Sequence, residues 1–228
     1  MKRTVTPELL DRDAGSPGEI AASLADLRRI NRWFGGVGTT CGMIERVAGA
    51  TGRKHLALLD VASASGDVAH KAQQRLKAAG VELDITLLDR VPSHLTNGSR
   101  KVAGDALALP FRNNSFDLVS CGLFAHHLEP PQVIQFVNEG LRVARVAVLI
   151  NDLIRDPVHL ALVFAGLPLF RSRLTHHDAP ASVRAAYTRQ EMMQMLKRSN
   201  AARIEVMWTF LFRMAAIAWT EEGREQRR

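Results

Sequence analysis

The chain has 228 residues, 46% of them hydrophobic and 23% charged, with Lys+Arg 30 against Asp+Glu 23 and a formal net charge of +7. That length supports one domain with a sizeable core and an elaboration at one end. No run of 18 apolar residues occurs, which excludes an ordinary spanning helix, and two cysteines, Cys41 and Cys121, are too few for a disulfide framework or a metal-ligand set.

The N-terminus, "MKRTVTPELLDRD", turns acidic at once and has no apolar signal core, so a cytoplasmic location is expected. Basic residues are scattered, and the densest cluster, "REQRR", closes the chain. The charge therefore reads as solubilising. A nucleic-acid partner is not expected, and peripheral contact with an anionic membrane stays open. Oligomeric state leaves no mark in the sequence.

From Pro17, "PGEIAASLADLRRINRWF" sets Ile20, Leu24, Leu27 and Ile30 three or four apart, the apolar stripe of a helix. It should stop near Gly35-Gly36, with a second helix from about Thr40 to "GATGRK". Residues 1–52 thus form an N-terminal helical cap. Short apolar runs follow: "HLALLDVA", "LDITLLD", "FDLVSCGLF", "VAVLINDL", "RIEVMW" and "FRMAAIAW". Helical patterns separate most of them: "VAHKAQQRLKAAG", "PPQVIQFVNEGLRVA" and "TRQEMMQMLKRSN". The last opens with Thr188 and Glu191 at capping-box spacing. Strand and helix in alternation require crossovers, hence a mostly parallel sheet covered on both faces. Only "TFL" separates the last two runs, so that end of the sheet is antiparallel. The link from about 153 to 187 is too long for a plain connection and reads as a substrate-side insertion, either a lid or a buried helix.

In an open parallel sheet, ligands sit at the carboxyl ends of the strands. Those ends carry Asp60 and the turn Ala62-Ser63-Ala64-Ser65-Gly66, then Asp89-Arg90, Asp105-Ala106, Cys121-Gly122 and Asn151-Asp152. Small residues let the backbone approach a ligand, and the next helix offers free N–H groups. An acid after the second strand can accept ribose hydroxyls, and a later one an adenine amino group. Each Asp alone also reads as a turn or cap.

Together these stretches resemble the class I S-adenosylmethionine-dependent methyltransferases, in their small-molecule branch. "LLDVASASGD" is similar to the first motif, with alanine at 62 and 64 where glycine is usual. "TLLDR" resembles the ribose-binding strand end, and "GDALALPFRNNSFDLVSCGLFAHHL" the stretch from adenine contact to active-site mouth. The resemblance implies a three-layer α/β Rossmann-like sandwich over 53–228, with a mostly parallel seven-stranded sheet antiparallel at one edge. It implies S-adenosylmethionine as cofactor, held by Asp60, Ala62, Ser63, Ala64, Gly66, Asp89, Arg90, Asp105, Ala106 and Cys121, and no metal. A nicotinamide oxidoreductase would space its glycines G-x-G-x-x-G, whereas here small residues fall at 62, 64 and 66 and Asp67 follows.

Methyl transfer to a hydroxyl requires alignment and removal of one proton. His126 and His127 at the mouth, and His176 and His177 in "RLTHHDAPASVR", are the candidate bases. Asn151 and Asp152 are candidates for orienting the acceptor. Trp33 and Phe34, with the apolar "VHLALVFAGLPLF", are candidates for a hydrophobic pocket. The expected reaction is O-methylation of a hydrophobic hydroxylated aromatic or lipid-like small molecule. "CGLF" stands where base-methylating enzymes carry an N/D-P-P-Y/F-like tetrapeptide. RNA methylation and a non-catalytic binding protein are the alternatives.

Overall fold

The computed structural model describes residues 1–12, 14–91 and 100–225, so the end of the basic "REQRR" cluster lies outside the described residues. The elements run α1 (Pro17–Trp33), α2 (Gly36–Thr51), β1 (His55–Val61), α3 (Asp67–Ala78), β2 (Glu82–Asp89), β3 (Arg100–Ala103) and β4 (Phe116–Gly122). Then come α4 (Pro130–Val143), β5 (Ala144–Leu153), α5 (Pro157–Gly166), α6 (Arg173–Ala185), α7 (Arg189–Leu196), β6 (Arg203–Thr209), β7 (Arg213–Trp219) and α8 (Glu221–Glu225).

The seven strands lie in the order β3-β2-β1-β4-β5-β7-β6. β1 pairs in parallel with β2 and β4, and β4 with β5, while β7 runs antiparallel to both β5 and β6. Side chains of a strand alternate between faces, and here both faces are buried. Leu56 and Leu58 pack with α2 and α3, through Ile44, Val47, Ala72 and Leu76. Leu59 and Val61 pack with α4 and α7, through Phe136, Val137, Met192 and Leu196. This makes three layers, helix, sheet and helix. The chain leaves β1 toward β2 on one side and reaches β4 on the other, so the order reverses between β1 and β4. A crevice opens at their carboxyl ends.

Three local readings change. The second helix begins at Gly36, not Thr40, because Gly35 takes φ +79° and reverses the chain in one residue. β3 has no counterpart among the six apolar runs: "RKVA" is short, largely exposed and sits on the sheet edge, so hydrophobic alternation does not mark it. In α1 the residues in the protein interior are Ser23, Asp26 and Asn31, while the apolar stripe is only partly buried. That stripe faces a cavity. The capping box of α7 forms as the spacing requires: the Glu191 amide donates to Thr188 Oγ1 (3.2 Å) and the Thr188 amide to Glu191 Oε2 (2.8 Å).

Candidate active site

One cavity of about 920 Å³ occupies the crevice, at the upper end of the range for small-molecule sites. Its floor is the carboxyl end of the sheet. Asp60, Ala62, Ser63, Ala64, Asp89, Arg90, Asp105, Ala106 and Cys121 all line it. Gly66 stands just behind the wall, where it closes the turn.

The turn after β1 is built from backbone geometry. Ala62 and Ala64 both take positive φ, 53° and 46°, and Gly66 takes 68°. Positive φ brings a Cβ against the following carbonyl oxygen, at roughly 1–2 kcal/mol per L-residue. The alanines bear that strain because the turn is held from outside. The Ser63 amide donates to Leu88 O (3.2 Å), the Ala64 amide to Asp89 Oδ2 (2.9 Å) and the Gly66 amide to Ser63 O (2.8 Å). At Gly66 no side chain fits, since a Cβ would lie 2.4 Å from Leu87 Cδ1. Asp89 thereby pins the turn with one oxygen, and its other oxygen accepts from the Val91 amide (3.0 Å).

Asp60 is buried and accepts one hydrogen bond, from Ser120 Oγ at 2.6 Å. Burial, reinforced by the charges of Asp67 and Asp89 against the Ser120 hydrogen bond, pushes its carboxyl up to about 7. Asp60, Asp89 and Asp105 line this half of the cavity, with Arg90 beside them. Asp105 is exposed, and its carboxylate accepts from the Leu107 amide at 2.8 Å. Cys121 is fully enclosed, and burial raises its thiol well above the ordinary value, so it contributes shape and no nucleophile.

The opposite half is apolar. Leu24, Leu27 and Ile30 of α1 face Leu162, Val163 and Phe170 across it. The buried polar residues of α1 anchor the wall: Asp26 Oδ2 accepts from the amides of Arg171 and Ser172, each 3.0 Å, and so holds the entry to α6. Phe34 lines the cavity, but Trp33 does not; it is 57% exposed at the end of α1.

Between the halves lie the first histidine pair and a group of acids from the N-terminal segment. His126 is buried, with Nδ1 2.6 Å from Asp152 Oδ1 and Nε2 3.4 Å from Glu8 Oε1. Burial disfavours a charged ring, yet Asp152 and Glu8 outweigh it and push the imidazole up to about 10. The Glu8 and Asp152 carboxyls are correspondingly lowered, His126 and its hydrogen bonds outweighing the burial that would raise them. With carboxylates facing both ring nitrogens, His126 is placed as the charged partner of Asp152 and Glu8, although it too lines the cavity. His127 is different. Its side chain is 22% exposed, it lines the cavity, and Nδ1 lies 2.8 Å from Asp11 Oδ2. Its ring rests against that of His126, with centroids 4.2 Å apart. Glu8, His126 and His127 are the one group among the described residues with metal-ligand atoms within 4.8 Å of one another; the His126 charge already balances the Glu8 carboxylate there.

Several expected residues fall outside the cavity. His176 lies exposed on α6 with its Nε2 donating to Phe170 O (2.9 Å), and His177 pairs with Asp178 (2.8 Å). The other face of α6, with Thr175 and Ser182, is the one that lines the wall. Asn151 is buried and fully engaged, its Nδ2 donating to Gly36 O (2.7 Å) and Thr40 Oγ1 (2.9 Å) and its Oδ1 accepting from Arg213 (3.2 Å). It joins β5 to α2. Asp152 holds His126 by ring and by backbone, accepting from the His126 amide at 3.0 Å. Both stand behind the wall and not in it. Conversely, Glu8 and Asp11 line the cavity with no motif to mark them. Their only sequence signal is the acidic "PELLDRD" after a basic start.

A family model described as a methyltransferase domain matches residues 58–146, the stretch from β1 into β5. The ubiquinone/menaquinone biosynthesis C-methyltransferase UbiE of Roseobacter denitrificans is 34% identical over 115 residues, 45% of this chain and 42% of that protein. UbiE of Rhizobium meliloti is 26% identical over 178 residues, 67% of each. The matched stretch thus spans about two fifths of the Roseobacter protein. Among solved structures, the plantazolicin methyltransferase BpumL in complex with SAH is similar with a TM-score of 0.69 at 13% identity, covering 93% of this chain and 94% of that one. A SAM-dependent methyltransferase from Aquifex aeolicus gives 0.54 at 15% identity, covering 77% and 88%. At these identities the likeness is one of fold.

Proposed function

We propose that the chain, whose residues 58–146 match a methyltransferase-domain model and whose fold is that of class I S-adenosylmethionine-dependent methyltransferases, methylates a hydrophobic, hydroxylated aromatic or lipid-like small molecule at the hydroxyl oxygen. One observation carries this reading: a single cavity joins the acid-lined strand ends to an apolar chamber, with His127 at the junction.

The residues of the first half fit the cofactor's chemistry. S-adenosylmethionine carries two cationic groups and a ribose diol, and supplies an electrophilic methyl group when bound. Asp60, nearly without partners, suits a cationic group. Asp89 has acceptor capacity left for a diol beside the amides it holds, and Asp105 with Ala106 frames the adenine position. The left-handed turn at 62–64 exposes backbone to the ligand.

In the second half, α1 and the stretch 153–187 form the acceptor cap, and their leucine and phenylalanine side chains exclude water. A phenol needs only modest help to lose its proton. His127 takes that proton on Nε2, while Asp11 on Nδ1 fixes the tautomer and steadies the cation formed. Asp152 and His126 hold the backbone that carries it. A hydroxyl so activated also enriches an ortho ring carbon in electrons, and the names of the curated relatives favour carbon as the second possibility.

The test is turnover with methyl-labelled S-adenosylmethionine and a panel of alkylated phenols, the product read by mass and by NMR. A methoxy resonance is expected, and a ring methyl would move the assignment to carbon. His127→Ala should lower kcat by about 10²–10³, with the affinity for S-adenosylhomocysteine, measured by calorimetry, unchanged. No saturable binding of either adenosyl compound would end the enzymatic reading and leave a binding protein.

A further inference from the structure

A helix that is apolar all round belongs in a core or against lipid. α5, "PVHLALVFAG", carries no Asp, Glu, Lys or Arg, yet only His159 of its ten residues is buried. Val158 is 58% exposed, Leu162 52%, Phe164 47%, and Leu169 just beyond the helix 66%. The β6–β7 hairpin continues this surface: the His159 ring stacks on Phe212 (5.0 Å, 7° between planes), and Phe212 contacts Trp208 (5.7 Å). At the hairpin tip Trp208 is 54% exposed and Phe210 65%. Leu211 and Phe212 there take φ +47° and +60°, positions where glycine or asparagine would relieve strain. The strained pair follows the exposed Phe210, with Leu211 itself 39% exposed and Phe212 half-buried. Gly35, two residues after the exposed Trp33, abuts the Phe210 backbone.

The segments that bear this rim are rich in arginine, although Arg29 pairs with Asp26 (3.1 Å) and Arg173 with Glu19 (3.0 Å). Residues 27–44, 157–177 and 206–220, which bear α1's end, α5 with the start of α6, and the hairpin, contain no Asp or Glu. They do contain Arg28, Arg29, Arg32, Arg171 and Arg173, and Arg184 of α6 lies 5.4 Å over the Phe164 ring. Exposed Trp and Phe flanked by arginine match the chemistry of a lipid–water interface with anionic headgroups. The rim also borders the chamber: Leu162, Leu211 and Phe212 line the cavity as well.

We propose that this rim docks on a bilayer containing anionic phospholipid, so that an acceptor dissolved in the lipid passes directly into the apolar half of the cavity. The docking rests on the acceptor reading only for its purpose. Vesicle binding needs neither cofactor nor acceptor, so its failure leaves methyl transfer standing, and the reverse also holds.

The full chain is mixed with vesicles of phosphatidylcholine alone, or with about one third phosphatidylglycerol, and followed by co-sedimentation and tryptophan fluorescence. Binding to the anionic vesicles with a blue shift is expected, weakening as salt rises. The double variant Val158→Glu/Phe210→Glu, at exposed positions outside the cavity, should bind at least about tenfold more weakly at an unchanged melting temperature. Arg32→Glu/Arg171→Glu should abolish the preference for anionic over neutral vesicles. No binding to anionic vesicles at low salt, or equal binding by the double variant, overturns the proposal. A concentration-dependent dimer that the double variant loses, without vesicle binding, overturns it too and assigns the rim to a second copy of the chain.

Discussion

Ala62 and Ala64 bear on the site in a way their chemistry alone does not convey. Both occupy left-handed backbone, where an L-residue costs roughly 1–2 kcal/mol relative to glycine. Glycine in turn adds unfolded-chain entropy worth about 0.4–1 kcal/mol. The balance favours glycine by roughly 0–1.6 kcal/mol at each position. Ala62→Gly/Ala64→Gly should therefore melt at the same temperature or a few degrees higher, and bind S-adenosylhomocysteine at least as well. Calorimetric melting and titration measure both. A lower melting temperature with weaker binding would mean that the two methyl groups hold the turn in shape. Gly66 has no such latitude, with Leu87 Cδ1 2.4 Å from where a Cβ would stand.

At the scale of elements, the sheet was legible because β1, β2, β4, β5 and β7 are largely buried and each reads as a short, mainly apolar run. β3 was not, because an exposed edge strand has no buried face to write into its sequence. The acids at the strand ends were legible for a related reason: Asp60 and Asp89 interrupt apolar runs where burial penalises a charge. What periodicity could not convey is what a stripe faces. Leu24, Leu27 and Ile30 signal one apolar side of α1 whether it meets a core or a cavity, and Trp33, one position further round, points to solvent. The N-terminal segment was opaque as well, since it has no period and acts through single side chains. Glu8 and Asp11 reach the histidine pair, Arg3 donates to the carbonyls of His126 (3.1 Å) and Leu128 (3.0 Å), and the Leu9 and Leu10 amides donate to Asp178 (2.8 and 3.0 Å).

That strap makes its own prediction. The His126 ring is raised to about 10 in the folded chain, above its ordinary 6.5, so the stability it contributes is complete below pH 6.5 and lost as pH rises through 10. The lowered Glu8 and Asp152 carboxyls contribute stability above their ordinary range, lost as pH falls through their folded values. Glu8→Gln removes one of the two carboxylates facing the ring. Its expected cost is about 1–3 kcal/mol near neutral pH, with the alkaline loss of stability beginning at lower pH than in the parent. Melting curves from pH 6 to 10.5, with imidazole NMR of His126, measure both. A His126 resonance that titrates near 6.5 in the parent protein would refute the ion cluster.

For the whole molecule, the competing readings differ in what the net charge of +7 attracts. The cavity floor carries Asp60, Asp89 and Asp105 against Arg90, while Arg32, Arg171 and Arg173 belong to the segments of the rim. A polyanion such as RNA would meet those arginines and the strand-end acids together, whereas a small cationic cofactor meets a floor on which acids outnumber Arg90. Because the floor joins β1, β2 and β4 with the segments after them, a ligand there binds the folded chain and not the unfolded one. S-adenosylhomocysteine at 100 times its dissociation constant should then add about 2.7 kcal/mol. For a chain of this size that corresponds to a rise in melting temperature of roughly 5–11 °C. Single-stranded RNA at low salt should give no comparable rise. Scanning calorimetry of the full chain with each ligand decides between them. A rise with RNA that falls steeply with salt, and none with S-adenosylhomocysteine, would place the ligand on the arginine rim and leave the acid-lined floor without an occupant of the proposed kind.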